Sequence, residues 1–245
     1  MKLHNIDGVD IPFEIHWDSI AISLSGGADS ALLAYLLCSL VPSTQTMKIN
    51  IISHTRMWKT RPWQQDDSEN VYKWLVERFG NLRFTRHTNF IAPDIEYGNI
   101  GPNLTDEYGK QVSGDNIQQR AYAEFICYKE NCDAYYNAVT RNPRQALFNG
   151  MKERDIEPNE SNQHLTLMIH MGRYAIHPFR FVEKDWVIKQ YKRLGIETLL
   201  NITRSCEGEF EGLDYTTYIP GQHIPVCGNC FWCKERNWAI VQCQD

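Results

Sequence analysis

A short apolar segment followed by two glycines constrains the fold more than any other feature of this sequence. Residues 19–24 read Ser-Ile-Ala-Ile-Ser-Leu, which is typical of a short buried strand, and Gly26 and Gly27 interrupt the pattern soon afterwards. Residues 28–40 are rich in alanine and leucine and predict a helix. A strand that passes through a glycine turn directly into a helix is the unit from which doubly wound α/β proteins are built.

The rest of the chain predicts further strands and helices in alternation. The predicted strands are 48–53, 82–87 and 134–139, and the predicted helices are 68–79, 116–131 and 183–194. Residues 89–115 and 141–177 show no regular periodicity, so we expect them to be irregular. The alternation predicts an α/β fold with a doubly wound parallel sheet, in which ligands bind at the carboxyl ends of the strands.

Composition excludes several classes of protein. The 245 residues include 25 basic and 30 acidic side chains, so the formal net charge is 25 − 30 = −5, which argues against binding to nucleic acid through bulk charge. No apolar run approaches the roughly 18 residues of a membrane span, and the first residues lack the apolar core of a signal peptide. We therefore expect a cytoplasmic protein. Since no segment resembles a linker, we expect residues 1–245 to form one domain.

The glycine turn itself predicts a phosphate site. Its residues are Ser25, Gly26, Gly27, Ala28, Asp29 and Ser30. Glycines allow the main chain to approach a ligand closely, and the amides that open the next helix favour phosphate. The serine hydroxyls add donors, and Asp29 suits a magnesium ion that accompanies a nucleotide. The alternative is a purely structural turn in which a serine or aspartate caps the helix.

A cysteine cluster near the C-terminus predicts a metal site. Cys227, Cys230 and Cys233 form a C-x2-C-x2-C run, and Cys206 lies upstream. In a reducing compartment, eight cysteines are more readily explained as ligands or core residues than as disulfides. Four thiolates suit tetrahedral zinc, while an iron–sulfur cluster and buried free cysteines remain the alternatives. We expect the remaining cysteines to be packing residues, namely Cys38, Cys127, Cys132 and Cys243.

Three blocks of sequence together resemble a known family. Residues 25–30 are similar to the S-G-G-x-D-S motif of the PP-loop ATP pyrophosphatases. The other two blocks are 177–206, with Pro178, Lys184, a Leu-Gly pair and Thr-Arg-Ser-Cys at 203–206, and 227–236, which reads C-G-x-C-x-x-C-x-x-R. With all three blocks in this order, the chain resembles the 7-cyano-7-deazaguanine synthase family.

This resemblance implies a fold, a reaction and site residues. The implied fold is a PP-loop domain like the adenine nucleotide alpha hydrolases, with a four-cysteine zinc segment at 200–245 packed on it. The implied reaction converts 7-carboxy-7-deazaguanine and ammonia to the nitrile with ATP, magnesium and zinc as cofactors, in a chain that could form a homodimer. The implied nucleotide contacts are Leu24, Ser25, Gly26, Gly27, Asp29 and Ser30. The implied catalytic residues are Asp29, Lys184 and Arg204, and the implied zinc ligands are Cys206, Cys227, Cys230 and Cys233.

Departures from the family pattern leave the substrate open. Residues 53–58, 114–120 and 141–143 differ from the family where the acid pocket is expected, so another acid or an amide product is an alternative. A tRNA-modifying PP-loop enzyme and a non-catalytic nucleotide-binding protein are two further alternatives. A glutamine-dependent amidotransferase would need a separate glutaminase subunit. Further site candidates are His54, His164, His170 and His177, and the aromatic residues Trp58 and Trp63 in a locally basic stretch.

Overall fold

The computed structural model describes residues 1–56, 63–91, 114–141, 143, 165–168, 173–208, 210, 213 and 217–244. Three of the candidate site residues, Trp58, His164 and His170, lie outside the described residues, as does Asn142 in the predicted pocket segment. No helix in the described ranges has the length and apolar character needed to cross a membrane.

The described residues form eight strands and six helices, which alternate between β3 and β6. The strands are β1 (Lys2–Ile6), β2 (Val9–Phe13), β3 (Ser19–Ser23), β4 (Lys48–Arg56), β5 (Arg83–Ile91), β6 (Ala134–Tyr136), β7 (Leu165–Met168) and β8 (Arg173–Ile176). The helices are α1 (Ala28–Leu40), α2 (Gln64–Arg78), α3 (Gly114–Lys129), α4 (Lys184–Leu194), α5 (Glu197–Asn201) and α6 (Phe231–Val241). Every strand and helix predicted from periodicity is therefore present: the helix at 28–40 has the predicted ends, and the other elements begin or end at different residues.

Strands β3 to β8 form one sheet, in the order β5-β4-β3-β6-β8-β7. The first five strands of this order are parallel, which confirms the predicted doubly wound parallel sheet. The edge strand β7 runs antiparallel to β8. The expectation that residues 141–177 are irregular is wrong at β7 and β8, because strands of four residues are too short to show a clear alternation.

Side chains that alternate along the strands build a core on each face of the sheet. Ile20 and Ile22 point into the larger core, where they join apolar residues of α1, α2, α4, α5 and α6. Ala21 points to the opposite face, where α3 contributes Ala123 and Ile126. Each fully buried isoleucine or leucine stabilises the fold by about 2 kcal/mol relative to an exposed one. The cores thus fix the sheet between helices on both sides.

The order of the strands reverses at β3, and this places the site. The chain runs from β3 outward through β4 to β5, and then returns to the other side of β3 with β6 and β8. Loops that leave β3 and β6 therefore diverge at their carboxyl ends and open a crevice between them. The glycine turn after β3 lies at this reversal point.

Candidate active site

Gly26 holds the turn after β3 in a conformation that other residues rarely adopt. Its φ angle is +82°, and a Cβ atom built on it would lie 2.7 Å from main-chain atoms of Asp67 and Ser68. Its carbonyl accepts a hydrogen bond of 2.9 Å from the main-chain amide of Arg204. The turn is therefore clamped between the start of α2 and the segment that leads to the cysteines.

The two serines of the turn organise its interior. The Ser25 amide donates to Ser30 Oγ at 3.2 Å, and the two hydroxyl oxygens lie 3.1 Å apart. The Gly27 amide donates to Ser25 Oγ at 3.3 Å, and Ser30 Oγ donates to the Gly27 carbonyl at 3.1 Å. Among the described residues no side chain caps the start of α1 at Gly27, so the first amides of this helix are available to an anion.

A cleft of about 560 Å³ opens at the reversal point. The turn after β3 and residues 137–140 after β6 both line it. Other lining residues include Trp63 and Asp67 at the start of α2, residues 204–207, and Trp232 between the last two cysteines. This volume lies within the range of about 300–1,000 Å³ that is typical of small-molecule sites.

The structure brings Asp29 and Lys184 together, although 155 positions separate them in the chain. Lys184 Nζ pairs with Asp29 Oδ2, and Thr140 Oγ1 donates to the same oxygen at 3.5 Å. The lysine side chain is 2% exposed and the aspartate side chain is 21% exposed. Asp29 Oδ1 is buried without a hydrogen-bond partner among the described residues. An unpartnered carboxylate oxygen beside a phosphate-type turn suits a divalent cation.

Arg204 lies in the cleft wall beside the turn. Its guanidinium stacks over the Trp63 ring at 4.6 Å and donates to the carbonyl oxygens of Ile224 and Pro225. Trp63 itself is buried, and its indole N–H donates to the Cys206 carbonyl at 3.4 Å. Both the main chain and the side chain of Arg204 therefore connect the turn, α2 and the cysteine segment.

Asp67 is a cleft residue that the sequence motifs do not indicate. It lies in the first turn of α2, against Gly26. Burial raises its pKa to about 7, with Asp66 adding to the shift and Arg204 opposing it. A carboxyl group that changes charge near neutral pH in a cleft is a candidate functional group. Nothing in the local sequence distinguishes it from the other acidic residues at this helix start.

The four predicted metal ligands converge on one point. The sulfur atoms of Cys206, Cys227, Cys230 and Cys233 all lie within 4.8 Å of one another. Main-chain amides donate to three of these sulfurs: Cys227 to Cys206 at 3.3 Å, Cys230 to Cys227 at 3.3 Å, and Glu207 to Cys230 at 3.5 Å. Such N–H···S bonds stabilise thiolates, and four thiolates at this spacing fit a tetrahedral metal ion.

Electrostatics at the cysteines agrees with this geometry. Burial alone would raise the pKa of the Cys227 thiol. Hydrogen bonds from the main-chain amides of Cys230 and Asn229 outweigh this effect and lower that pKa to about 6. Gly208 lies against this sulfur, since a Cβ at that position would be 2.5 Å from Cys227 Sγ. The cluster begins α6, whose first residue is Phe231, so a bound metal would fix the start of that helix.

The two described histidine candidates lie away from the cleft walls. His54 is buried under α3, where its Nδ1 lies 3.3 Å from Asn89 Nδ2 and its ring contacts Tyr122 edge-on. His177 follows β8 and is half-buried next to Arg180. Neither is among the described residues that line the cleft.

We expect His177 to make folding stability depend on pH. Burial lowers its pKa to about 4, from 6.5 in the unfolded chain; Arg180 adds to the shift, and the main chain of Asn137 opposes it. Between these values the unfolded chain binds the additional proton, so the free energy of unfolding falls as pH decreases from 6.5 to 4, by about 3 kcal/mol at most. Urea unfolding of the parent and of His177→Gln at about pH 7.5 and about pH 4.5 measures this. An equal pH-dependent loss in both proteins would contradict the prediction.

No family model matches the chain, and no curated protein matches it. Several solved structures are similar. NMN synthetase from Francisella tularensis has 16% identity and a TM-score of 0.43, with 94% of this chain and 86% of that chain covered. NH3-dependent NAD synthetase from Campylobacter jejuni has 15% identity and a TM-score of 0.41, with coverages of 76% and 68%.

A third similar structure is the U34-tRNA thiolase NcsA from Methanococcus maripaludis, which was solved with its 4Fe–4S cluster. It has 14% identity and a TM-score of 0.44 over 73% of this chain. The chain spans 58% of the length of this thiolase. At such distances, these likenesses do not identify a reaction or a metal.

Proposed function

We propose that the chain is an ATP-dependent carbon–nitrogen ligase that forms AMP and pyrophosphate. It adenylates a carboxylate and aminates it with ammonia. We propose 7-carboxy-7-deazaguanine as the acid and its nitrile as the product, because the three sequence blocks resemble the family with this reaction. We also propose that ATP binds to the residues implied by that resemblance, namely Leu24, Ser25, Gly26, Gly27, Asp29 and Ser30.

The observation that carries this proposal is the position and form of the turn after β3. It presents uncapped helix amides and two hydroxyl groups at the reversal point of a parallel sheet. Asp29 adds a carboxylate oxygen without a partner in the described part of the chain. This combination favours a magnesium-bound phosphate chain over a structural turn, in which a side chain would cap the helix.

The chemistry explains why ATP is needed. A carboxylate is a poor electrophile, because its oxygen is a poor leaving group. When that oxygen attacks the α-phosphorus of ATP, pyrophosphate leaves, and AMP becomes the leaving group for attack by ammonia. The resulting amide gives the nitrile if its own oxygen is adenylated and lost in the same way. The protein has to align the reactants and stabilise the departing pyrophosphate.

The proposed site residues have separate parts in this reaction. The first amides of α1, with Ser25 and Ser30, would bind the pyrophosphate, and Lys184 would hold the Asp29 carboxylate in place through their ion pair. Arg204 would keep the turn against the cysteine segment and supply positive charge to the cleft wall. Asp29 would bind magnesium, which neutralises phosphate charge. The four cysteines would bind zinc, which has a structural role in such a closed site.

The test uses purified, metal-loaded protein with ATP, magnesium, ammonium and 7-carboxy-7-deazaguanine. We expect AMP formation that depends on the acid, a product with the mass of the nitrile, and two AMP for each nitrile. An amide product with one AMP would show that the ligase stops earlier. AMP formation that requires tRNA instead of the acid, or no AMP formation under any condition, would contradict the proposal.

We expect Asp67→Asn to tighten ATP binding above neutral pH. With a pKa raised to about 7 by burial, Asp67 is largely ionised at about pH 8.5 and then repels the phosphates in the cleft. The asparagine variant should therefore bind ATP about threefold more tightly than the parent at about pH 8.5 and about equally at about pH 6. Titration of both proteins with ATP at the two pH values measures this, and weaker binding by the variant at both would contradict the assigned charge.

A further inference from the structure

A cluster of buried charges connects the phosphate turn to the cysteine segment. Lys184, at the start of α4, pairs with Asp29 on one side and lies 3.6 Å from Glu235 Oε2 on the other. The Lys184 side chain is 2% exposed and that of Glu235 is 1% exposed. Charges so completely removed from water are retained only where partners compensate them.

Glu235 comes from the helix that the cysteines begin. It lies in α6, two residues after Cys233, one of the four sulfur ligands that converge. The next residue, Arg236, donates to Thr203 Oγ1 at 2.8 Å and to the Leu200 carbonyl at 2.9 Å, and its charge also interacts with Asp29. The helix behind the metal site therefore places a carboxylate directly behind the lysine of the phosphate turn.

The electrostatic consequence concerns Asp29. If Asp29 were the only carboxylate beside Lys184, the ammonium group would interact with Asp29 alone. With Glu235 on its other side, the ammonium group interacts with both carboxylates, so its attraction to Asp29 is weaker. The negative charge of Glu235 also offsets part of the positive charge near Asp29, which would otherwise repel a cation. Both effects favour binding of a divalent cation at Oδ1 of Asp29, which has no hydrogen-bond partner in the described ranges.

We propose that Glu235 is a positioning residue for the phosphate turn, which shares the Lys184 ammonium with Asp29 and thereby keeps the Asp29 carboxylate available to a divalent cation. This inference rests on the proposed function, because the cation is the one that accompanies ATP. It assigns a second role to the cysteine segment, which then supports the nucleotide site through α6. The motif blocks do not indicate this role, because Glu235 lies between the last cysteine and the arginine of the C-G-x-C-x-x-C-x-x-R pattern.

The test compares nucleotide binding with and without magnesium in Glu235→Gln. The probe is α,β-methylene-ATP, which cannot be cleaved to AMP, and calorimetry reads binding without turnover. We expect the magnesium concentration for half-maximal enhancement of binding to rise about tenfold in the variant. Binding of the metal-free probe should stay equal or become tighter, since the variant removes a negative charge. Glu77→Gln removes an exposed carboxylate from α2 and serves as the matched control, with no change expected.

Glu235→Asp provides the second variant, because it keeps the charge but shortens the side chain. We expect the magnesium concentration for half-maximal enhancement of binding to rise about threefold in this variant. If Glu235→Gln does not fold, Glu235→Asp alone tests the inference. Equal weakening of metal-free and magnesium-dependent binding would overturn the inference, as would an unchanged magnesium requirement in both variants. Absence of nucleotide binding by the parent protein would overturn the proposed function and this inference with it.

Discussion

Replacement of Gly26 by alanine should reduce ATP-dependent AMP formation by at least about 100-fold. The φ angle of +82° is strained for alanine, and the new Cβ would lie 2.7 Å from the main chain of Asp67 and Ser68. Because these contacts are main-chain atoms of a helix start, no side-chain rotation relieves the clash. The turn has to move away from α2, which displaces the amides that bind phosphate. Steady-state AMP release at saturating acid and ammonium measures the effect.

Gly80→Ala is the matched control for this variant. Among the described residues, a Cβ at Gly80 would have only the Val76 carbonyl oxygen within 4 Å, at an ordinary distance of 3.8 Å, and the φ angle of Gly80 is not positive. We expect parent-like AMP formation and thermal stability from it. If Gly26→Ala retained parent-like AMP formation, the turn would not be the phosphate site.

Replacement of Cys227 by serine should remove the metal and disable the nucleotide site as well. The sulfur of Cys227 accepts the Cys230 amide and is one of four that converge within 4.8 Å. Loss of one thiolate opens the tetrahedral site, so we expect metal content to fall from about one ion for each chain to near zero. We expect the midpoint of thermal unfolding to decrease by about 10 °C. Since residues 204–206 adjoin the turn, ATP binding should weaken too.

The measurements are metal content by mass spectrometry, thermal unfolding and ATP titration. Cys243→Ala controls for loss of a cysteine, because Cys243 packs in the core and is not one of the four convergent residues. It should keep the full metal content. Zinc in the parent protein supports the proposed metal, while iron and sulfide in a ratio typical of a cluster would replace it. Full metal content in Cys227→Ser would contradict the ligand assignment.

The parts of the fold with strong local patterns could be predicted from the sequence. The segment 19–40 combines an apolar strand, two glycines and an alanine- and leucine-rich helix, so its strand–turn–helix structure follows from the sequence. The cysteine spacing likewise predicts convergence, because C-x2-C turns bring sulfur atoms together. The glycine turn and the cysteine cluster could therefore be predicted, because residues close together in the chain form each of them.

The β1–β2 hairpin and the strands β7 and β8 could not be predicted from hydrophobic periodicity. The β1–β2 hairpin has an Asp7-Gly8 turn in which both residues have positive φ, a hairpin signature that hydrophobic periodicity alone does not reveal. The strands β7 and β8 are four residues each, and their pairing depends on tertiary contacts. Local pattern is insufficient where pairing at a distance determines the structure.

In the cleft, too, the sequence indicates residues that belong to a motif but not the contacts between distant parts of the chain. The resemblance singled out Lys184 and Asp29 separately, and only the packing of α4 against α1 shows that they form a pair. Asp67 and Glu235 have no motif, because their importance comes from burial and from neighbours far along the chain. Functional charges are identified from sequence only when a motif includes them.

The most direct measurement of the central claim uses acid labelled with ¹⁸O in its carboxylate. If the turn supports adenylation, the attacking oxygen stays with the α-phosphorus, and AMP carries one ¹⁸O atom while pyrophosphate carries none. Conversion to the nitrile should place the second ¹⁸O in a second AMP. Mass spectrometry of AMP and pyrophosphate from 7-carboxy-7-deazaguanine, ATP and ammonium reads this directly. Unlabelled AMP, or label in pyrophosphate or inorganic phosphate, would contradict adenylation of the carboxylate at this site.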